Sequence, residues 1–184
     1  SNKTNLLHLF GHLTFPFGPL HKSLFSIYST GGTFNYLKST FNDTNNTLNS
    51  EKILYSISDL THFPEILEGR VKTLHPNILG GILCDTENEN HLKDMETHKI
   101  QKLDLIVANL YPFAETVGSN KSHNEIIENI DIGGVTLIRA AAKNYKNTCI
   151  LVDPSQYDEY IKRFKKNDIT LEYKRSLAAT AFRH

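Results

Sequence analysis

The densest group of chemically active side chains in the sequence is Arg70-Val71-Lys72-Thr73-Leu74-His75-Pro76, which follows Gly69. If this segment is extended, its period of two sets Arg70, Lys72 and Leu74 on one side and Val71 and Thr73 on the other. Two cations then converge. The Arg fork suits carboxylate, phosphate or amide oxygens, and the Lys ammonium is a mobile point charge. Taken alone, the same residues also describe a solvated basic loop. His75 either donates to a ligand oxygen or, standing before Pro76, simply ends a turn.

A second constellation is Ile130-Asp131-Ile132-Gly133-Gly134, leading into a helix expected over Val135–Asn144. At about 100° per residue, Thr136, Arg139 and Lys143 share one face, whereas Leu137, Ile138, Ala141 and Ala142 share the other. Gly133 and Gly134 permit close backbone approach at a helix start, where amide groups attract anions. An ordinary surface helix that begins with glycines fits equally well.

Two further places can hold a ligand. Asn109-Leu110-Tyr111-Pro112 ends an apolar strand pattern, and ligands of open parallel sheets bind beyond the carboxyl ends of strands, although a plain strand exit with a half-buried Tyr fits equally well. Ser29-Thr30-Gly31-Gly32-Thr33 joins a strand pattern to a helix pattern, so its hydroxyls and amides can cradle a phosphate. Gly-Gly turns between strand and helix are common, and this one matches neither the Walker nor the dinucleotide pattern. The nine histidines form no His-Glu-x-x-His arrangement and there is no Cys-x-x-Cys, which argues against a metal site. No Gly-x-Ser-x-Gly elbow is present.

The elements that must position these residues read as an α/β pattern, with short apolar runs alternating with helix-period segments. Strands are expected at Leu24–Tyr28, Ile53–Ile57, Ile78–Cys84, Leu103–Leu110 and Thr148–Val152, the last two at the sheet centre because they are nearly continuous in apolar residues. Helices are expected at Asn5–Leu13, Thr33–Lys38, His91–His98, Asn124–Asn129, Val135–Asn144, Pro154–Lys166 and Leu171–Phe182. For Pro154–Lys166, Asp153 serves as cap, Pro154 suits the first position, and Lys162, Arg163, Lys165 and Lys166 complement the dipole at its end. Thr14–His21 and Phe41–Ser50 read as irregular insertions.

At 184 residues the chain suggests one domain. Lys+Arg and Asp+Glu both number 20, so no global field draws in nucleic acid or an anionic membrane. Apolar stretches fall well short of the ~20 residues of a membrane span. Cys84 and Cys149 lie in apolar runs and read as buried thiols in a reducing compartment.

The strings PEILEGRVKTLHPNILGGIL (Pro64–Leu83), VANLYPF (Val107–Phe113) and ENIDIGGVTLIRAAAKN (Glu128–Asn144) resemble, in order, the inosine monophosphate (IMP) cyclohydrolase domain of bifunctional purine-biosynthesis proteins. SNKT at Ser1–Thr4 resembles that family's Ser-Asp-Lys-Thr, and STGGT its phosphate loop. VDPSQYD and LEYKRSLAATAF resemble its closing segments. The resemblance implies a methylglyoxal-synthase-like, three-layer α/β/α sandwich with a mostly parallel sheet. It implies closure of the purine ring of formyl-aminoimidazole carboxamide ribonucleotide to IMP and water, without metal or organic cofactor.

By the same resemblance Lys72, Tyr111, Asp131 and Lys143 are catalytic. Arg70, Thr73, Asn109 and Gly133 would contact the base or carboxamide. Ser1, Lys3, Thr4, Thr30, Gly31, Gly32 and Thr33 would contact the ribose phosphate. A cytoplasmic homodimer is implied, with a C-terminal transformylase domain in the full-length protein, and the family's strand preceding Ser-Asp-Lys-Thr is expected to be lacking. Departures are Asn2 for Asp, Thr30 for Ser, Tyr145 for the usual His, His62 for Gly before Phe63-Pro64, and the two insertions. The alternatives in view are a nucleotide-sensing regulatory domain of the same fold, as in carbamoyl-phosphate synthetases, and methylglyoxal synthase.

Overall fold

The computed structural model describes residues 3, 5–14, 25–43, 53–110 and 113–184. In chain order the first elements are α1 (Leu6–Thr14), β1 (Ile27–Ser29), α2 (Gly31–Asp43), β2 (Leu54–Ser56) and α3 (Ile57–Thr61). A single 3-10 turn at Leu67–Gly69 precedes α4 (Pro76–Leu83), α5 (Glu89–His98) and β3 (Leu105–Val107). Then come α6 (Phe113–Val117), α7 (His123–Glu128), α8 (Ile132–Lys143) and β4 (Cys149–Leu151). A second 3-10 turn, Pro154–Gln156, leads to α9 (Tyr157–Lys165) and α10 (Leu171–Arg183). These elements fall into two compact units, one built on Asn5–Lys72 with Tyr157–Ile169 and the other on Thr73–Gln156 with Thr170–His184.

In the first unit β1 and β2 pair in parallel, with Ile27 opposite Leu54 and Tyr28 opposite Tyr55. The two tyrosine rings stack with centroids 5.4 Å apart. Helix α1 buries Leu6, Leu9 and Leu13, a one-faced spacing, against α9, which buries Tyr157, Tyr160 and Ile161. The expected dipole complement of α9 is present in Lys162, Arg163 and Lys165. Regular α-helix begins only at Tyr157, because Asp153 instead closes the preceding 3-10 turn by accepting from the Ser155 amide at 2.8 Å.

Polar pairs lock α1 to α9. His8 Nε2 meets Asp158 Oδ1 at 3.0 Å, and Lys165 Nζ donates to His12 Nδ1 at 3.0 Å. Burial first, then the charges of Lys165 and His8, lower the His12 pKa from its ordinary 6.5, with Asp158 opposing. The unfolded chain therefore binds this proton first as pH falls. The stability His12 contributes is complete above about pH 6.5 and is lost as pH drops toward the lower folded value. The urea midpoint should fall between about pH 7.5 and 5.5, and His12→Gln should flatten that slope. An equal slope in both proteins would remove His12 as a cause.

In the second unit β3 and β4 also pair in parallel, Leu105 opposite Cys149 and Val107 opposite Leu151. Strand β4 is wholly buried, and α8 and α10 both lie on it. The thiols Cys84 and Cys149 are buried and unbridged, and burial pushes the Cys84 pKa up. Helix α8 buries Ile138, Ala141 and Ala142 and exposes Arg139, whose guanidinium lies 5.4 Å from the Phe182 ring centroid. At its far end Asn144 Nδ2 donates to the Ile82 and Cys84 carbonyls at 2.8 and 2.7 Å.

Several expectations need correction. Ile78–Cys84 is not a strand; Ile78–Leu83 lie in helix α4 and Cys84 is its C-cap, the first turn being set by His75 as N-cap and Pro76 at the first position. A short apolar run fits either a buried strand or a buried helix, and the caps decide between them. Gly81 is required within α4, since a Cβ there would run into the Gln101 carbonyl oxygen. Helix α2 starts at Gly31 and continues through Asp43, so Phe41–Asp43 are helical and not part of an insertion. The remaining insertion residues, 15–21 and 44–50, lie outside the described residues. Helices α3 and α6 were not anticipated; a Ser56/Asp59 capping box starts α3. No helix among the described residues is long and apolar enough to cross a membrane.

Candidate active site

Lys72 lies in a turn, not in an extended segment. The Arg70 amide donates to the Leu67 carbonyl and the Lys72 amide to the Gly69 carbonyl, so the period of two that would place Arg70 and Lys72 side by side does not apply. Three successive residues, Leu67, Glu68 and Gly69, have φ of 51°, 55° and 85°, the left-handed region that favours glycine. Glu68→Gly should therefore stabilise this turn by about 0.5–1 kcal/mol, read as a higher urea midpoint. An unchanged or lower midpoint would show that Glu68 carries no backbone strain.

Gly69 also leaves room for two side chains. A Cβ on it would stand 3.2 Å from Lys72 Nζ and 3.3 Å from Glu65 Oε2, so the Lys72 side chain folds back over a bare Cα. Lys72 Nζ lies 3.7 Å from Glu65 Oε2, and both side chains are about one-third exposed. The same oxygen stands 3.9 Å from where a Cβ on Gly31 would be. Gly31 and Gly32 form the first turn of α2, where the Thr33 and Phe34 amides close on the Thr30 carbonyl at 2.9 and 2.8 Å. That leaves the Gly31 and Gly32 amides, at the head of the helix, without an intrahelical acceptor. Within this unit, then, Lys72, Glu65 and the head of α2 come together. Arg70 is exposed.

In the other unit a second cluster forms around the start of α8. Asp131 is its N-cap, accepting from the Gly134 amide at 2.7 Å. A Cβ on Gly133 would lie 2.7 Å from the buried Thr73 Oγ1. One on Gly134 would collide with the Asp131 carboxylate and lie 2.8 Å from Leu110 Cδ2. The glycine pair is thus explained by close approach of Thr73, Asp131 and the residue that follows Asn109. Asn109 Oδ1 is itself sealed from solvent.

Lys143 does not join this cluster. It is exposed at the opposite end of α8, about 18 Å along the axis from Asp131 at 1.5 Å per residue. In one chain the two cannot touch the same reacting atoms. His75 takes the plainer of its two roles, accepting from the Asn77 amide at 3.2 Å as a helix cap. Tyr111, Ser1 and Thr4 lie outside the described residues, and Lys3 is half-buried. No group of three or more His, Cys, Asp or Glu among the described residues could hold a metal ion.

Glu65 was not singled out from the sequence although it lies inside the Pro64–Leu83 string. Seven positions is a helical spacing, but Leu67, Glu68 and Gly69 between Glu65 and Lys72 are left-handed and no helix joins them, so the spacing does not flag Glu65.

The MGS-like domain model matches residues 16–136, about two-thirds of the chain. The chain belongs to the MGS-like domain family. Its fold is accordingly the α/β methylglyoxal-synthase-like one, with short parallel strands among many helices. Beyond the MGS-like domain match, residues 141–184 match the AICARFT/IMPCHase bienzyme model. A bifunctional purine biosynthesis protein PurH of Thermoanaerobacter sp. (strain X514) is 51% identical over 162 residues, covering 87% of this chain and 30% of that protein. The PurH of Prochlorococcus marinus (strain MIT 9515) is 42% identical over 184 residues, all of this chain and 32% of that protein. The crystal structure of ForH superposes with a TM-score of 0.77 at 29% identity, covering 100% of this MGS-like chain and 88% of that chain. The chain spans about a third of the length of the curated relatives it matches.

Proposed function

We propose that this MGS-like chain is an IMP cyclohydrolase. In the reaction the carboxamide nitrogen of formyl-aminoimidazole carboxamide ribonucleotide attacks the neighbouring formyl carbon. A C–N bond forms, and the formyl oxygen leaves as water with two protons from the two nitrogens. Nucleophile and electrophile are already tethered, so the protein has mainly to fix one rotamer and stabilise charge on the departing oxygen.

The observation that carries this reading is that Lys72 and the glycine head of α2 lie on either side of one carboxylate, Glu65, whose Oε2 is 3.7 Å from Lys72 Nζ and 3.9 Å from where a Cβ on Gly31 would stand. A substrate bearing a phosphate and developing an oxyanion needs an anion-binding helix start and a reaction cation in one neighbourhood. The names of the relatives and the AICARFT/IMPCHase match supply the reaction.

In this reading Lys72 faces the oxyanion, and Thr30, Gly31, Gly32 and Thr33 hold the ribose phosphate, with Ser1, Lys3 and Thr4 contributing. Asp131 orients or deprotonates the carboxamide with the oxygen that its cap bond leaves over. Arg70, Thr73, Asn109 and Gly133 contact the base, and Tyr111 assists proton transfer and water loss. Lys143 keeps a role only away from the atoms Asp131 touches. The reading extends to a cytoplasmic homodimer and to a formyl-transferring region in the full-length protein.

The test is turnover of the formylated ribonucleotide, followed by IMP absorbance, alongside calorimetric titration with IMP. Cyclisation faster than the uncatalysed rate supports an enzyme. Binding without turnover would instead favour a nucleotide-sensing domain.

A further inference from the structure

Glu65 belongs to none of the groups assigned so far, yet its Oε2 lies 3.7 Å from the ammonium of Lys72, in the space that Cβ atoms on Gly69 and Gly31 would approach to 3.3 and 3.9 Å. At 3.7 Å the Glu65–Lys72 pair is longer than a hydrogen bond. The carboxylate therefore attracts the ammonium without consuming one of its three donors, which remain available to a substrate oxygen. A pair about one-third exposed contributes little to stability, so holding Lys72 in place is the effect left for it to have. Gly69, without a Cβ, lets both side chains close over the turn.

We propose that Glu65 is a positioning residue for Lys72, its carboxylate holding the ammonium over Gly69 and beside the head of α2. This rests on the ring-closure reading and adds a residue to it. A long, flexible lysine stem samples many rotamers in water, and a small misplacement of a catalytic group costs up to about a hundredfold in rate. The anchor keeps the ammonium where the oxyanion develops.

The test compares Glu65→Gln, which keeps the shape and removes the charge, with Glu65→Asp, which keeps the charge on a shorter stem. Glu65→Gln should lower kcat by about tenfold or more with KM within about twofold, and Glu65→Asp should recover part of the loss. Adding Glu65→Gln to Lys72→Ala should cost nothing further, because the two act as one unit. A wild-type kcat in Glu65→Gln, or losses that multiply in the double variant, would overturn the proposal.

A second arm needs no turnover. Acylation of Lys72 by an amine-reactive ester, quantified by peptide mass spectrometry, should speed up severalfold in Glu65→Gln with the urea midpoint unchanged. An unchanged acylation rate overturns the anchoring even if the enzyme is active. If the wild type fails to close the ring, the ring-closure reading falls, while this arm still decides whether Glu65 holds Lys72.

Discussion

Lys72→Ala should lower kcat for ring closure by about 100- to 1000-fold, the usual cost of deleting one preorganised donor to an oxyanion. The loss should fall on kcat, because the ammonium meets a charge that exists only as the carbinolamine forms. Folding should be spared. Lys72 is part of a loose, partly exposed ion pair, and its removal leaves no buried charge behind, only an exposed Glu65 carboxylate. Ala also tolerates the turn backbone, since left-handed φ is confined to Leu67, Glu68 and Gly69 and does not extend to Lys72. The measurement is steady-state kinetics of both proteins, with circular dichroism to check the fold. A kcat within threefold of wild type would remove Lys72 from the chemistry.

Gly134→Ala should be the most damaging small substitution, costing about 2–4 kcal/mol of stability. Its new methyl collides with the Asp131 carboxylate and presses on Leu110 Cδ2 at 2.8 Å, neither of which is the free end of a long side chain. Relieving the collision breaks the 2.7 Å cap bond from the Gly134 amide, a loss of about 1 kcal/mol by itself, and the rest is overpacking. Gly133→Ala provides the control. There the methyl meets one hydroxyl oxygen, Thr73 Oγ1 at 2.7 Å, so the damage should be smaller. Urea unfolding of the three proteins decides it. Equal midpoints for Gly134→Ala and wild type would show that the glycine is not there to admit Asp131.

Some of this was legible in the sequence. Helix α8 was legible in its basic and apolar faces and its buried stripe, but not in its start, which lies at Ile132 instead of the expected Val135 and takes both glycines into the helix. Strands β3 and β4 were legible as apolar runs, although pairing covers only their middle three residues. Helix α4 was not, because Ile78–Cys84 is apolar on every side and only the cap at His75 and Pro76 distinguishes helix from strand. The chemistry around Lys72 was half legible. Residue types pointed to a cation site, but the geometry depends on left-handed residues at Leu67 and Glu68, types that give no sequence signal of that conformation. For the same reason Glu65 stayed hidden. Spacing along α8 also separates Asp131 from Lys143, which a motif match by itself does not reveal.

The most direct measurement is a crystal structure of the chain with inosine monophosphate bound. The expected result is the phosphate on the amides of the Thr30–Thr33 loop and Lys72 Nζ within about 4 Å of purine C2, the carbon that gave up its oxygen. A phosphate bound elsewhere, with the Lys72 ammonium turned into solvent, would contradict it.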